Sequence, residues 1–258
     1  MTAIHYDIAG EGLPFVLLHG IGSNSKSWRR QLPAFSAAYK VVAWDAPGFG
    51  KSADPVSPVP SMREYTESLR ALFDSLGFAS AFVLGHSLGG IIAQDFYRIY
   101  PERVRALILA DTTQGGAAED VEVRESKLAK RLEMIRRMSP EQLAKERAPA
   151  LLSSRATKEM LEEAIAIMSE VRRVGYEFAS IAMATADERG VLDNITFPLL
   201  MLWGEEDQIT PVWRTWPQSA QVETIRNAGH LCYLEQADTF NQSVLRFLEE
   251  CCKKEGSS

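Results

Sequence analysis

The sequence predicts an α/β fold in which a mostly parallel sheet is flanked by helices. Short apolar runs alternate with helical patterns through the first 110 residues, and two further apolar runs follow after residue 197. Strands that alternate with helices are joined by crossover connections, which make neighbouring strands parallel. Between these two regions only helical patterns occur. We therefore expect an all-helical lid inserted into the sheet after the sixth strand.

The elements follow in order along the chain. Apolar or alternating runs predict seven strands, at 4–8, 14–18, 41–44, 82–84, 104–110, 198–203 and 221–226. Trp28, Leu32 and Phe35 are at helical spacing and predict a helix over 27–38. Ser61 and Glu64 form the pattern of a capping box and predict a helix from there to about Leu76. A last helix is predicted over 237–250.

The segment 114–190 contains no convincing strand pattern. Helices are expected at 121–138, at 157–171, at 174–187 and after Ser139, where serine would cap and Pro140 would occupy the first helical position. This predicts two structural domains. A core domain would comprise 1–113 and 191–258, and a helical cap domain would comprise 114–190.

Composition limits the classes of function. The net charge is −6 and no basic stripe is visible, so nucleic acid is not an expected partner. No apolar run is long enough for a membrane-spanning helix, so a membrane is not expected either. Three cysteines, two of them adjacent, do not form a disulfide framework and favour a reduced, cytoplasmic location. The cysteines and histidines lack metal-ligand spacing, so we expect neither a metal nor a cofactor; a homodimer stays open.

The strongest motif is the pentapeptide Gly85-His86-Ser87-Leu88-Gly89. It lies between an apolar run typical of a buried strand and a pattern typical of a buried helix. Glycine on both sides of Ser87 allows the strained turn that this motif requires between strand and helix. The serine hydroxyl would then stand at the carboxyl end of a strand, beside free amides of a helix N-terminus.

A serine hydroxyl needs a base to activate it, and the base needs an acid to orient it. Ser87, Asp207 and His230 occur in this order, each just after a predicted strand. Ligand sites of open parallel sheets lie outside the carboxyl ends of the strands. These three residues are therefore the candidate catalytic group.

The sequence resembles the α/β-hydrolase superfamily of serine hydrolases over nearly its whole length. The matching stretches are His19-Gly20, Asp45 to Ser52, Gly85 to Gly90, Gly204 to Asp207 and Gly229-His230. The resemblance implies an α/β-hydrolase sheet, with Ser87 as nucleophile, His230 as base and Asp207 as acid. It also implies that the backbone N–H groups of Ile21 and Leu88 form the oxyanion hole. Because some members place the acid after an earlier strand, Asp111 is the rival acid.

Assignment to a particular group within the superfamily rests on fewer matching residues. The lid end and following strand are similar to those of 3-oxoadipate enol-lactonases, and small carboxylesterases are the other close group. The expected function is cleavage of a small carboxylic ester or lactone through an acyl-enzyme on Ser87. One alternative is a C–C bond hydrolase of a ring-cleavage product, although that group often carries tryptophan where this chain has Leu231. The other is a small-molecule receptor with slow hydrolysis.

Overall fold

The computed structural model describes residues 3–193, 195, 197–210, 217 and 219–255. Within these residues the strands form one sheet in the spatial order β1-β3-β2-β4-β5-β6-β7. Their bounds are Tyr6–Ala9 (β1), Pro14–Leu18 (β2), Lys40–Trp44 (β3), Ala81–His86 (β4), Val104–Ala110 (β5), Leu199–Gly204 (β6) and Ala220–Ile225 (β7).

Only β1 runs antiparallel to its neighbour, β3, and every other pair is parallel. β4 lies near the middle of the sheet, between β2 and β5. The predicted α/β fold with a mostly parallel sheet is therefore confirmed. The parallel arrangement matters for function because the carboxyl ends of β4, β6 and β7 reach the same edge of the sheet.

Helices cover both faces of the sheet. The helix bounds are Gln31–Phe35 (α1), Met62–Ser75 (α2), Leu88–Ile99 (α3), Val121–Arg137 (α4), Pro140–Arg147 (α5), Lys158–Met168 (α6), Arg173–Thr185 (α7), Cys232–Glu235 (α8) and Ala237–Glu255 (α9). On one face, Leu69 and Phe73 of α2 and Phe96 of α3 pack in one apolar cluster. On the other, Phe35 of α1 and Phe240 of α9 belong to a second cluster. Burying both faces explains why the central strands are apolar throughout.

The helices α4 to α7 lie between β5 and β6. The insertion predicted after the sixth strand therefore follows the fifth, because only five strands precede it in the described chain. The division into a core domain and a cap domain remains a prediction. We use "the insertion" below for residues 114–190.

Two local predictions were wrong. The helix expected over 27–38 is a 3-10 turn at Ser25–Trp28 followed by the short α1, because the Asn24 side chain accepts the Lys26 N–H and starts the turn earlier. Ser61 precedes α2 but its side chain makes no cap bond, and the Glu64 carboxylate accepts the Val56 N–H instead. The cap at Ser139 is present, with Gln142 completing the box.

The insertion contacts the core at several points. Gly175 of α7 lies so close to the loop after β3 that an added Cβ would stand 2.0 Å from the Gly48 carbonyl oxygen. Glu163 of α6 is buried and pairs with Arg29 and Arg30 at 2.5 and 2.8 Å. Among the described residues, no helix is long and apolar enough to cross a membrane.

Candidate active site

Ser87 lies on a strained turn between β4 and α3. Its φ is 52°, in the left-handed region that L side chains disfavour. The neighbours must be glycine, since a Cβ at Gly85 would stand 2.3 Å from the Gly89 oxygen and one at Gly89 2.1 Å from the Leu18 oxygen. The Thr112 hydroxyl donates to the Ser87 carbonyl at 2.6 Å. Packing and this hydrogen bond hold the turn in its strained form.

Asp207 and His230 form a buried pair at the same edge of the sheet. His230 Nδ1 lies 3.1 Å from Asp207 Oδ2, so Nδ1–H donates to the carboxylate and Nε2 carries the free lone pair. Asp207 also accepts the Thr210 hydroxyl and, at 2.7 Å, the Ile209 N–H. Burial alone would raise the pKa of Asp207, but these donors outweigh burial and lower it. Asp207 is therefore ionised when it orients His230.

Asp111, the rival acid, has a different environment. It is fully buried, and its Oδ1 accepts the Gly204 N–H at 2.8 Å. Burial, and then the nearby Asp207 carboxylate, raise the pKa of Asp111 well above its usual range. The structure thus joins His230 to Asp207 by a hydrogen bond and gives Asp111 a backbone partner.

Three contacts fix the loop that carries His230. The His230 carbonyl accepts from His86 Nε2 at 2.7 Å, and the Gly229 N–H donates to Glu235 Oε1 at 2.8 Å. The Leu231 N–H donates to the Leu151 carbonyl in the insertion at 3.2 Å. Burial, and then His230, lower the pKa of His86 to about 3, so this ring stays neutral with its proton on Nε2. The sequence did not predict the role of Glu235, because a carboxylate near a helix start gives no indication of which N–H group it accepts.

The two amides proposed for the oxyanion hole differ in how they are positioned. Leu88 is the first residue of α3, so its N–H has no acceptor within the helix. Gly20 packs against the turn, and a Cβ there would stand 3.2 Å from Ser87 Cβ. The buried His19 ring accepts the Ala46 N–H on Nε2 and donates from Nδ1 to the Gly20 carbonyl at 2.8 Å. Since the peptide is planar and trans, this bond turns the Ile21 N–H away from His19.

Ser87, Ile21 and His230 line one cavity of about 380 Å³. Its roof comes from the insertion, including Met134, Tyr176 and Met183 among its apolar and aromatic lining residues. A cavity of this size suits a small molecule. A serine and a histidine oriented by a carboxylate thus meet in one cavity.

Residue types that bind metals also meet here. One oxygen or nitrogen of each of Asp111, Asp207 and His230 lies within 4.8 Å of the others. The hydrogen bonds described above already engage His230 Nδ1 and both oxygens of Asp207. The chemistry of this cluster is that of a hydrogen-bond network around the histidine.

The chain matches the alpha/beta hydrolase family over residues 15–243, and it belongs to that family. It is 30% identical to a 2-hydroxy-6-oxononadienedioate/2-hydroxy-6-oxononatrienedioate hydrolase of Dechloromonas aromatica, covering 95% of this chain and 90% of that protein. It is 31% identical to a dihydrolipoyllysine-residue acetyltransferase component of an acetoin cleaving system of Pseudomonas putida. There it covers 95% of this chain but only 66% of that longer protein.

Two solved structures extend the comparison. A thermophilic esterase from Thermogutta terrifontis, in a malate-bound form, superposes with a TM-score of 0.88 at 29% identity, covering 96% of this chain and 93% of that one. An enol-lactonase from Burkholderia xenovorans LB400 gives 0.83 at 25% identity, covering 96% and 97%. The chain is therefore a hydrolase whose relatives act on different bonds.

Proposed function

We propose that the protein is a serine hydrolase that cleaves a small carboxylic ester or lactone through an acyl-enzyme on Ser87. The observation that carries the proposal is the Asp207–His230 hydrogen bond of 3.1 Å beside a cavity that Ser87 also lines. The esterase at 29% identity and the enol-lactonase at 25% identity support ester and lactone bonds as substrates.

In the proposed reaction, Ser87 Oγ attacks the carbonyl carbon while His230 Nε2 takes its proton. Asp207 stabilises the resulting imidazolium. The N–H groups of Ile21 and Leu88 would hold the oxyanion, each contributing about 3 kcal/mol to transition-state stabilisation. His230 then protonates the leaving alkoxide, and a water activated by His230 releases the acid from Ser87.

The first prediction concerns Ser87. A fluorophosphonate should add to one peptide, the one containing Gly85 to Gly90, and the Ser87→Ala variant should lose both labelling and turnover of 4-nitrophenyl butyrate. The melting temperature should stay near or above that of the wild type, because the turn is strained. Mass spectrometry, an esterase assay and thermal unfolding measure the three outcomes. Labelling that persists in Ser87→Ala would refute the proposal.

A second candidate function is C–C bond hydrolysis. The relative named as a 2-hydroxy-6-oxononadienedioate hydrolase favours it, at 30% identity over 95% of this chain. The same enzyme sample should be given a ring-cleavage diketo acid, whose loss of absorbance reports C–C cleavage. A higher kcat/KM on that compound than on any ester or lactone would replace the ester assignment. Stoichiometric labelling without turnover of either class would favour a receptor.

A further inference from the structure

One face of α4 forms part of the cavity roof. Arg124, Lys127, Leu128, Arg131 and Met134 all line the cavity. Their spacing places them along one side of a helix. Leu128 and Met134 contribute apolar surface to the cavity lining. The arginines and the lysine of this face contribute positive charge to it.

The charge of the lining is opposite to that of the chain. Five of the described lining residues are cationic and one, Glu119, is an acid, whereas the chain as a whole has a net charge of −6. The cationic residues are Arg124, Lys127, Lys130, Arg131 and Arg147. Lys127 already pairs with Glu119 at 2.6 Å. A cleft lined by one sign of charge concentrates ligands of the other sign.

Arg131 differs from two other arginines of the insertion, both of which have carboxylate partners. Arg136 pairs with Glu177 at 3.1 Å and Arg172 with Asp54 at 2.8 Å. The part-buried Arg131 has no carboxylate within ion-pair distance among the described residues, and its Nη1 contacts the Met183 sulfur at 3.9 Å. A thioether is a weak acceptor.

A guanidinium shielded from water without an anion is costly, and burial lowers the pKa of Arg131. Glu119, the acid among the described lining residues, is engaged by Lys127. The donors of Arg131 are thus free to bind an anion inside the cavity, where a carboxylate would receive two parallel N–H bonds.

We propose that Arg131 binds a carboxylate carried by the substrate, so that the physiological substrate is a monoanionic ester or lactone of a short dicarboxylic acid. This rests on the proposed function, because the anion is placed relative to the carbonyl that Ser87 attacks. Arg124, Lys130 and Arg147 attract the anion, and Arg131 fixes it. The cavity of about 380 Å³ limits the distance between the carboxylate and the scissile bond.

The test compares substrates that differ in one charge. One pair is 4-nitrophenyl hydrogen adipate and 4-nitrophenyl methyl adipate, with the carboxylate on the acid side. The other is 4-acetoxybenzoate and its methyl ester, with the carboxylate on the alcohol side. In the wild type, kcat/KM should favour the anion in at least one pair by about 10-fold. Added salt should reduce this preference.

Arg131→Gln should lower kcat/KM for the preferred anion about 10- to 100-fold, the range expected for a charged hydrogen bond, and change the neutral ester less than twofold. Arg131→Lys should retain part of the preference. Arg137→Gln is the matched control: this exposed residue of α4 pairs with Glu133 and should alter neither rate. No anion preference in either pair, or an equal loss on both members, would overturn the inference.

A binding measurement separates this inference from the proposed function. Adipate should bind the Ser87→Ala variant by calorimetry, and Ser87→Ala/Arg131→Gln should bind it at least 10-fold more weakly. If Ser87→Ala still hydrolyses esters, the proposed function fails while the adipate result still decides the anion site. Equal adipate affinity in the two variants would overturn the anion site whatever the hydrolysis data show.

Discussion

Two buried aspartates lie behind His230, and their contacts distinguish them. Asp207 bonds the imidazole, and Asp111 bonds the Gly204 N–H. Burial raises the pKa of Asp111 well above its usual range, whereas at Asp207 the hydrogen bonds from His230, Thr210 and Ile209 outweigh burial and lower the pKa. Asp207 is therefore placed to stabilise an imidazolium, whereas no described hydrogen bond joins Asp111 to His230.

We therefore predict that Asp207→Asn lowers kcat for 4-nitrophenyl butyrate by about 10⁴, as in serine proteases, because asparagine favours the wrong tautomer of His230. Asp111→Asn should lower kcat less than 10-fold, since an amide oxygen can still accept the Gly204 N–H. Steady-state kinetics on the two folded variants measure this. If the larger loss falls on Asp111, it is the acid.

Among individual residues, part of the candidate site could be predicted from the sequence. Ser87 could be predicted because the glycines that its turn requires are adjacent in the chain. Asp207 and His230 could be predicted because each follows a strand. Arg131 was one of several arginines in the insertion, and only the packing of α4 distinguishes it from Arg136 and Arg137. The roles of the predicted catalytic residues stay predictions.

Among the elements, α7 makes an unusually close backbone contact with the loop after β3. Gly175 lies against Gly48, whose φ of 86° restricts that position to glycine as well. The sequence of α7 did not predict this contact, because Gly48 and Gly175 are 127 positions apart in the chain. Prediction from sequence was good for long periodic helices and poor at 27–38, where one asparagine redirects the turn.

Gly175→Ala should destabilise the fold by about 1–3 kcal/mol, because the new methyl group would displace the Gly48 backbone. In an ordinary helix the same change would stabilise by up to about 1 kcal/mol. Urea unfolding measures the difference. The neighbouring Val174→Ala, at an exposed position of the same helix, is the control. A Gly175→Ala protein as stable as the wild type would mean that the close contact between Gly175 and Gly48 does not constrain α7.

At the level of the whole molecule, a cluster of charged residues joins the insertion to α3. Glu188, just after α7, is 2% exposed and pairs with Arg98 of α3 at 3.2 Å; Arg98 also pairs with Asp95. Burial, and then Asp95, raise the pKa of Glu188 to about 7 from an ordinary 4.5. Between these values the folded protein binds a proton that the unfolded chain does not. The contribution to stability therefore falls as pH rises from about 4.5 to 7.

We predict that the free energy of unfolding of the wild type, relative to Glu188→Gln, decreases from pH 5 to pH 8. Glutamine keeps the size of the side chain and does not titrate. Urea denaturation at unit steps of pH tests this, and Glu133→Gln, an exposed partner of Arg137, provides a variant without the effect. Parallel stability curves for wild type and Glu188→Gln would show that Glu188 titrates normally.

The fold class itself followed from the alternation of strands and helices, which is a property of the whole chain. Strand counting was less secure, and it placed the insertion one strand too late. The sequence also could not show how the insertion is attached, since Leu151, Glu163 and Gly175 meet partners far away along the chain.

The parts of the insertion differ in how many hydrogen bonds and ion pairs they make with the rest of the chain. The segment 151–153 bonds the loop of His230 through Leu151 and Glu235, and α6 is tied to the core through Glu163. The described side-chain hydrogen bonds of α4 run to its own insertion, to Glu119, Glu177 and Met183. We therefore expect substrate entry and product release to involve a displacement of α4. The contacts made by the segment 151–153 and by Glu163 would hold the loop of His230 in place during this displacement.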